Sequence, residues 1–240
     1  MGQGLNTCRS PLTLLKKKRS GGMEPLKEYQ QKRRFTKTAE PTPKKKSSRS
    51  GKLFVVQKHR ASHLHYDFRL EMDGVLRSWA VPKGPSLDPA VRRLAMAVED
   101  HPIDYADFEG IIPEGEYGGG TVMVWDRGTY IPESQMTSDF GKGDLKFTLQ
   151  GVKLKGSWVL VRTKGRQWLL IKHRDQYAST ADITVFDPRS VVTQRTLADI
   201  AADEGGNVAK AATGDPAVLP PLAKDGHKRR SPATPAKSSI

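Results

Sequence analysis

The stretch His63-Leu64-His65-Tyr66-Asp67-Phe68-Arg69-Leu70-Glu71-Met72 alternates apolar and polar residues without a break, and Asp73-Gly74 follows it. Successive side chains on a strand point to opposite faces, so Leu64, Tyr66, Phe68, Leu70 and Met72 define one face, which should bury. His63, His65, Asp67, Arg69 and Glu71 define the other. Asp-Gly supplies the positive φ of a tight primed turn, so a second strand, Val75–Val81, should fold back on the first. Outward from this hairpin, short β-like runs recur between turn residues: Phe54–His59, Leu94–Glu99, Thr121–Trp125, Leu145–Leu149, Ser157–Arg162 and Gln167–Lys172. No long helical pattern separates them, which specifies an all-β fold, an antiparallel barrel or sandwich. Trp79, Trp125, Trp158 and Trp168 all fall in these runs and are assigned to core packing rather than base stacking.

The flanks differ in character. Residues 1–52 read as a basic, largely disordered arm with a short helix over 24–35 and a Pro-, Lys- and Ser-rich linker over 36–52. Residues 53–189 form the barrel-like domain. Residues 190–240 read as a short helix near Thr196–Ala202 followed by a disordered tail from 205.

Charge is partitioned in the same way. The 240 residues carry a formal net charge of +14. The arm holds 15 Lys/Arg against 3 Asp/Glu, whereas residues 53–189 hold 18 of each. The clusters Lys16-Lys17-Lys18-Arg19, Lys32-Arg33-Arg34 and Lys44-Lys45-Lys46 suit a polyanion, and nucleic acid is the commonest. The alternative is a solvated tail that aids solubility. The clusters lack bulky apolar partners at helical spacing, so a membrane surface fits less well. No run approaches the ~18 apolar residues of a membrane-spanning helix. Leu12–Leu15 is too short for a secretory h-region, and Asn6 stands where a myristoylation signal needs Ser or Thr. The single cysteine, Cys8, excludes an intramolecular disulfide framework and a Cys-rich zinc module. A cytoplasmic, nucleoid-associated monomer is expected. Met23 opens a more structured stretch and is a candidate for the true start; the mass of the native protein tests this.

Three clusters carry chemistry. On the polar face of His63–Met72, His65 and Asp67 lie one pleat repeat apart, and a hairpin from Gln57-Lys58-His59 would set His59 beside them. Two imidazoles and a carboxylate suit a borderline divalent cation such as Mn2+ or Zn2+ and leave positions open for water and substrate. Arg69 would hold an anion alongside. The alternative is an ordinary solvent-facing strand. The second cluster, Glu99-Asp100-His101-Pro102-Ile103-Asp104-Tyr105, enters a proline loop, where His101 could bind phosphate or protonate a leaving oxygen and Tyr105 could donate a hydrogen bond. The alternative is a loop histidine satisfied by backbone. The third, Pro113-Glu114-Gly115-Glu116-Tyr117-Gly118-Gly119-Gly120, lacks the Lys-Ser/Thr ending of a phosphate-binding loop and is read as a shaped turn.

In this order and spacing the clusters resemble the 3′-phosphoesterase module of bacterial DNA ligase D, the end-healing module of non-homologous end joining, which also occurs free-standing. The resemblance rests on Phe54–His59, Leu64–Leu70, Ser78–Pro85 and Glu99–Pro102, and continues through Asp104-Tyr105 and Pro113–Gly120. It implies a small antiparallel β-barrel of about eight strands with a crescent-shaped groove. It implies a divalent metal, Mn2+ first with Zn2+ or Co2+ as alternatives, on His59, His65 and Asp67. It places the scissile phosphate on Arg69, His101 and Tyr105, with Gln57, Lys83, Arg93, Arg33 and Glu40 in supporting or substrate-binding roles. The implied reactions are removal of a 3′-terminal ribonucleoside and hydrolysis of the remaining 3′-phosphate to a 3′-hydroxyl. The implied partners are DNA 3′ ends, Ku and a separate ligase or polymerase. One departure stands out: the family commonly shows Lys-Arg-Asp-Phe where this chain has Lys32-Arg33-Arg34-Phe35. That segment helps position the terminal nucleoside, so the expectation falls on the phosphatase step before the ribonucleoside step. A degenerate module that holds DNA ends without turnover is the competing reading.

Overall fold

The computed structural model describes residues 26–44, 52–133 and 135–221. The clusters at 16–19 and 45–46, Cys8, Met23 and the tail beyond 221 lie outside the described residues.

Among the described residues nine antiparallel strands make the sheet: β1 Leu53–Arg60, β2 Leu64–Met72, β3 Val75–Val81, β4 Arg92–Ala97, β5 Gly110–Ile112, β6 Gly120–Pro132, β7 Asp144–Gly151, β8 Lys155–Lys164 and β9 Gln167–Lys172. Their hydrogen-bonded order is β1-β2-β3-β4-β9-β8-β7-β6-β5, and β6 also pairs with β1. Eight strands therefore close into a barrel, and β5 adds a ninth on the other edge of β6. Asp73 and Gly74 take φ of 53° and 78°. Their two-residue turn sets the register Met72↔Val75 through Tyr66↔Val81.

Several boundaries differ from the sequence reading. β4 ends at Ala97, so Glu99 leaves the sheet and His101 keeps one bridge to Leu76. Pro102, with no N–H, cannot extend that pairing. β6 runs for 13 residues, and an extra residue opposite Val56/Gln57 bends it between its partners. β5 is too short, at three residues, to show a sequence period. Helix α1 spans Lys27–Gln31, α2 Met136–Lys142, α3 Ile183–Phe186, α4 Leu197–Asp203 and α5 Val208–Ala212. Thr196 and Asp199 form a reciprocal capping box at α4. The stretch from 205, expected as tail, instead carries α5, capped by Asn207 and anchored by buried Ala211. Asp215 beyond it accepts the Leu197 and Ala198 backbone N–H and faces the buried Lys58 ammonium at 3.5 Å.

Two apolar layers result. Inside the barrel, all four tryptophans join Phe54, Phe68, Leu70, Phe147 and Leu160. Outside it, Val55, Leu76, Val122 and Val124 project from the wall and are covered by Leu26, Tyr29, Ile103, Tyr105, Phe108 and Ile112. The outer face of β1 and β2 is consequently buried as well. Asp67 and Arg69, polar residues on that face, retain only 7% and 2% exposure. A solvated polar strand face is thus not what forms.

Asp126 closes the β7–β8 end of the barrel. Its carboxylate accepts backbone N–H groups from Arg127, Val152, Lys153 and Leu154 at 2.8–3.0 Å while fully buried. Asp126→Ala removes the shared acceptor of four backbone N–H groups, of which Leu154 N–H is buried, and should destabilise the protein by about 3 kcal/mol. Equilibrium urea unfolding measures this; a loss under about 0.5 kcal/mol would contradict the assigned role.

Candidate active site

The β1–β2 register places Gln57 opposite Asp67 and His59 opposite His65. All three candidate ligands therefore project from one patch of the outer wall, with ligand atoms within 4.8 Å of one another. Asp67 Oδ2 lies 3.7 Å from both His59 Nδ1 and His65 Nε2. The remaining ring nitrogens face backbone: His59 Nε2 lies 2.8 Å from the Gly118 carbonyl and His65 Nδ1 lies 3.0 Å from the His63 carbonyl. A carbonyl accepts only, so each of these nitrogens carries the proton. The lone pairs of His59 Nδ1 and His65 Nε2 are left facing the carboxylate, the tautomers a metal ligand needs. The donor set thus fits a divalent cation. Burial raises the Asp67 carboxyl, but Arg69 and the two imidazoles outweigh it and hold it well below the usual carboxylate range. Burial lowers the His65 pKa, favouring the neutral ring.

Arg69 sits one pleat repeat along β2, and every nitrogen of its guanidinium is engaged. Nε donates to Gln57 Oε1 at 2.8 Å, Nη1 to Ser78 Oγ at 2.8 Å and Nη2 to Asp67 Oδ2 at 3.0 Å. Gln57 in turn donates to the Tyr105 and Phe108 carbonyls, which fixes the 3-10 turn Ile103–Asp107 over the wall. That turn brings Tyr105 and His101 against Arg69, with the Arg69 guanidinium 5.0 Å from the Tyr105 ring centre and Nη1 3.0 Å from His101 Nδ1. His101 Nδ1 carries its proton and donates it to the Glu99 carbonyl at 2.9 Å, which leaves Nε2 to accept from Arg33. Burial and then Arg69 and Arg33 push the His101 pKa well below its usual value. Burial and then Glu40 push the Tyr105 hydroxyl well above its own, so it remains an O–H donor.

Residues 26–44 cross this cluster. Arg33 donates to Glu40 at 2.8 Å and Glu99 at 3.1 Å, lies over the Tyr29 ring and reaches His101 Nε2 at 3.1 Å. Tyr105 donates its hydroxyl to Glu40 Oε1 at 3.0 Å. Arg33 and Glu40 are therefore built into the cluster. Arg34 points outward and pairs with Glu116 at 2.6 Å. Lys83 and Arg93 stand apart. Lys83 is exposed in the turn after β3. Arg93 shares the interior-facing side of β4 with Ala95, and its buried Nε has no hydrogen-bond partner among the described residues. Neither hydrogen-bonds to the cluster.

Sequence reading missed Ser78, Glu99 and the Gly118 carbonyl. Ser78 was recoverable, because the Asp73-Gly74 turn sets Arg69↔Ser78 across the hairpin. Glu99 and Gly118 join the site through loop geometry that no periodicity encodes.

A cation-competent donor triad beside a buried guanidinium is the kind of site that phosphoesterases use. Residues 57–162 match the family described as the DNA ligase D 3′-phosphoesterase domain. The chain is 54% identical over 183 residues to a multifunctional non-homologous end joining protein LigD of Pseudomonas aeruginosa, covering 72% of this chain and 22% of that one. It is 42% identical over 182 residues to the Mycobacterium tuberculosis LigD, covering 75% and 24%. The Mycolicibacterium smegmatis LigD is 45% identical over 159 residues, covering 63% and 21%. The chain belongs to the DNA ligase D 3′-phosphoesterase domain family. It spans less than a quarter of the length of these curated relatives.

The buried His101 makes a testable contribution to acid sensitivity. Its folded pKa is depressed, whereas the unfolded chain takes up its proton near ~6.5. Stability from this group is complete above about pH 6.5 and falls as pH drops below it. Urea unfolding at pH 7.5 and 5.5 should show a smaller pH-dependent loss in His101→Asn than in the wild type; equal losses would contradict the assignment.

Proposed function

We propose that this protein is a metal-dependent DNA 3′-end-healing phosphoesterase that hydrolyses a 3′-phosphate to a 3′-hydroxyl during non-homologous end joining. The observation that carries this is the shared Asp67 carboxylate. It faces both imidazoles of the triad and also accepts from Arg69, which joins a cation site and an anion site across one side chain. His59, His65 and Asp67 would hold the cation, with Mn2+ as the leading candidate and Zn2+ or Co2+ as alternatives. When bound, it supplies Lewis-acid withdrawal of charge from a phosphoryl oxygen.

The chain's own groups do the rest. Arg69 is held by Gln57, Ser78 and Asp67, so it meets the phosphate without reorganising, which is how an electrostatic contribution becomes large. Tyr105 donates its hydroxyl to a phosphate oxygen in place of Glu40. His101 is neutral while Arg33 and Arg69 face it. A phosphate dianion offsets those two charges, and the imidazole then takes up a proton that it can pass to the leaving 3′-oxygen. Arg33 and Glu40 enclose the terminal group from the arm side. Removal of a 3′-terminal ribonucleoside is the second activity of the same site. Because Arg34 is engaged with Glu116, outside the cluster, it is the weaker of the two. The substrates proposed are primer-template DNA 3′ ends, with Ku and a separate ligase or polymerase as partners in a cytoplasmic, nucleoid-associated setting. Among the described residues no helix is long and apolar enough to cross a membrane. The competing reading, a DNA-end-binding protein without turnover, draws on the closure of Arg33 and Glu40 over His101 and Tyr105.

The test is a labelled primer-template ending in a 3′-phosphate, incubated with MnCl2. Wild type should release phosphate, His59→Ala should not, and Arg69→Ala should lose about 10²–10³-fold in kcat. Bound but unprocessed DNA in the wild-type lane would replace the phosphoesterase reading with the end-binding one.

A further inference from the structure

Tyr117 is a large aromatic side chain left 50% exposed at the rim of the site. Its place is set from both sides. The next residue, Gly118, is the one whose carbonyl takes the His59 Nε2–H, and a Cβ at Gly118 would lie 3.6 Å from His59 Cε1. On the other side, the Arg33 guanidinium carbon is 5.6 Å from the Tyr117 ring centre while Nη2 of the same group is 3.1 Å from His101 Nε2. Tyr117 therefore stands between the donor triad and the anion cluster, one side chain from each. Lys32 lies 4.6 Å from the ring centre and donates to its hydroxyl at 3.2 Å. Glu116 ties the same loop to Arg34. The ring is thus oriented by cations, on a loop pinned at two points, with half its surface open.

We propose that Tyr117 is the stacking platform for the base of the 3′-terminal nucleotide. This rests on the phosphoesterase reading and adds the group that seats the nucleoside. A 3′-phosphate held by Arg69, His101 and Tyr105 places its base one sugar away from them, and Tyr117 is an exposed aromatic at that rim. Every base has a π-face, so the contact gives affinity without sequence preference, as an enzyme acting on arbitrary broken ends requires. Lys32 and Arg33 flank the ring but are themselves paired with carboxylates, Lys32 with Glu28 at 2.6 Å and Glu99 at 3.2 Å and Arg33 with Glu40 and Glu99, so the stack rather than local charge carries the contact.

The test uses the full chain and two primer-templates with a 3′-phosphate, one ending in a normal base and one in an abasic tetrahydrofuran residue. Tyr117→Ala should raise KM about tenfold on the base-ended primer with kcat little changed, in keeping with loss of one base–aromatic stack. Tyr117→Trp should retain the wild-type KM. On the abasic primer, wild type and Tyr117→Ala should be equal, because no stack remains to lose. A loss of the same size on both primers would show that Tyr117 acts through the loop and His59, and would overturn the proposal, as would no loss on either. A terminal 2-aminopurine primer bound in EDTA gives a readout independent of turnover. Its fluorescence should be quenched by wild type and by Tyr117→Trp, but not by Tyr117→Ala. If the wild type releases no phosphate, the phosphoesterase reading fails, and the quenching alone decides the platform: quenching by wild type and not by Tyr117→Ala upholds it, and equal signals overturn it.

Discussion

A buried, fully engaged Arg69 guanidinium is the constraint on which the rest of the structure depends. An arginine on an outward strand face would normally be solvated. Here a second apolar layer covers the face, and the charge survives burial because Gln57, Ser78 and Asp67 take all three of its nitrogens. An unpaired buried charge costs several kcal/mol, so the three partners and the covering layer stabilise one another. Asp67 is the pivot. It offsets the guanidinium and at the same time faces two imidazoles whose tautomers are set by backbone carbonyls. The same carboxylate thus stabilises the wall and prepares the ligand set.

The segment 26–44 has a comparable double role. Tyr29 is fully buried against the wall, and Arg33 and Glu40 complete the hydrogen bonding of His101 and Tyr105. Without a substrate these pairs satisfy groups that would otherwise be buried and unpartnered. A phosphate would have to displace some of them, so substrate binding exchanges internal ion pairs for contacts to a dianion. That exchange favours ligands of high charge density over neutral ends of DNA. The exposed Arg34–Glu116 pair and the Lys32–Tyr117 contact lie at the outer margin, where solvent screening leaves each with a small energetic effect.

The barrel was legible where period and turn chemistry agree. The alternation of His63–Met72 and the Asp73-Gly74 turn were read as a hairpin, and the observed β2–β3 register follows from them, although the juxtaposition of Arg69 with Ser78 that it carries went unread. The neighbouring β1 hairpin brought His59 to His65 as its spacing suggested. What escaped the sequence is what depends on tertiary cover. The polar face of β2 reads as solvated because the residues that bury it, Tyr29, Tyr105 and Phe108, come from distant and aperiodic segments. Helix α5 was missed because a five-residue alanine-containing turn has the composition of a tail, and only the Asn207 cap and the Asp215 anchor distinguish it. His59, His65, Asp67, Arg69, His101 and Tyr105, the residues named through the family resemblance, lie together on one patch of the wall. Lys83 and Arg93 make no hydrogen bond to that group.

In the proposed reading Asp67 joins the imidazole–carboxylate triad and the arginine cluster as two halves of one site. Crystals grown with MnCl2 and a phosphate-like oxyanion test it most directly through anomalous differences at the manganese edge. One peak within reach of His59 Nδ1, His65 Nε2 and an Asp67 oxygen is expected, with the oxyanion against Arg69. A manganese peak elsewhere, or an anion seated away from Arg69, would contradict it.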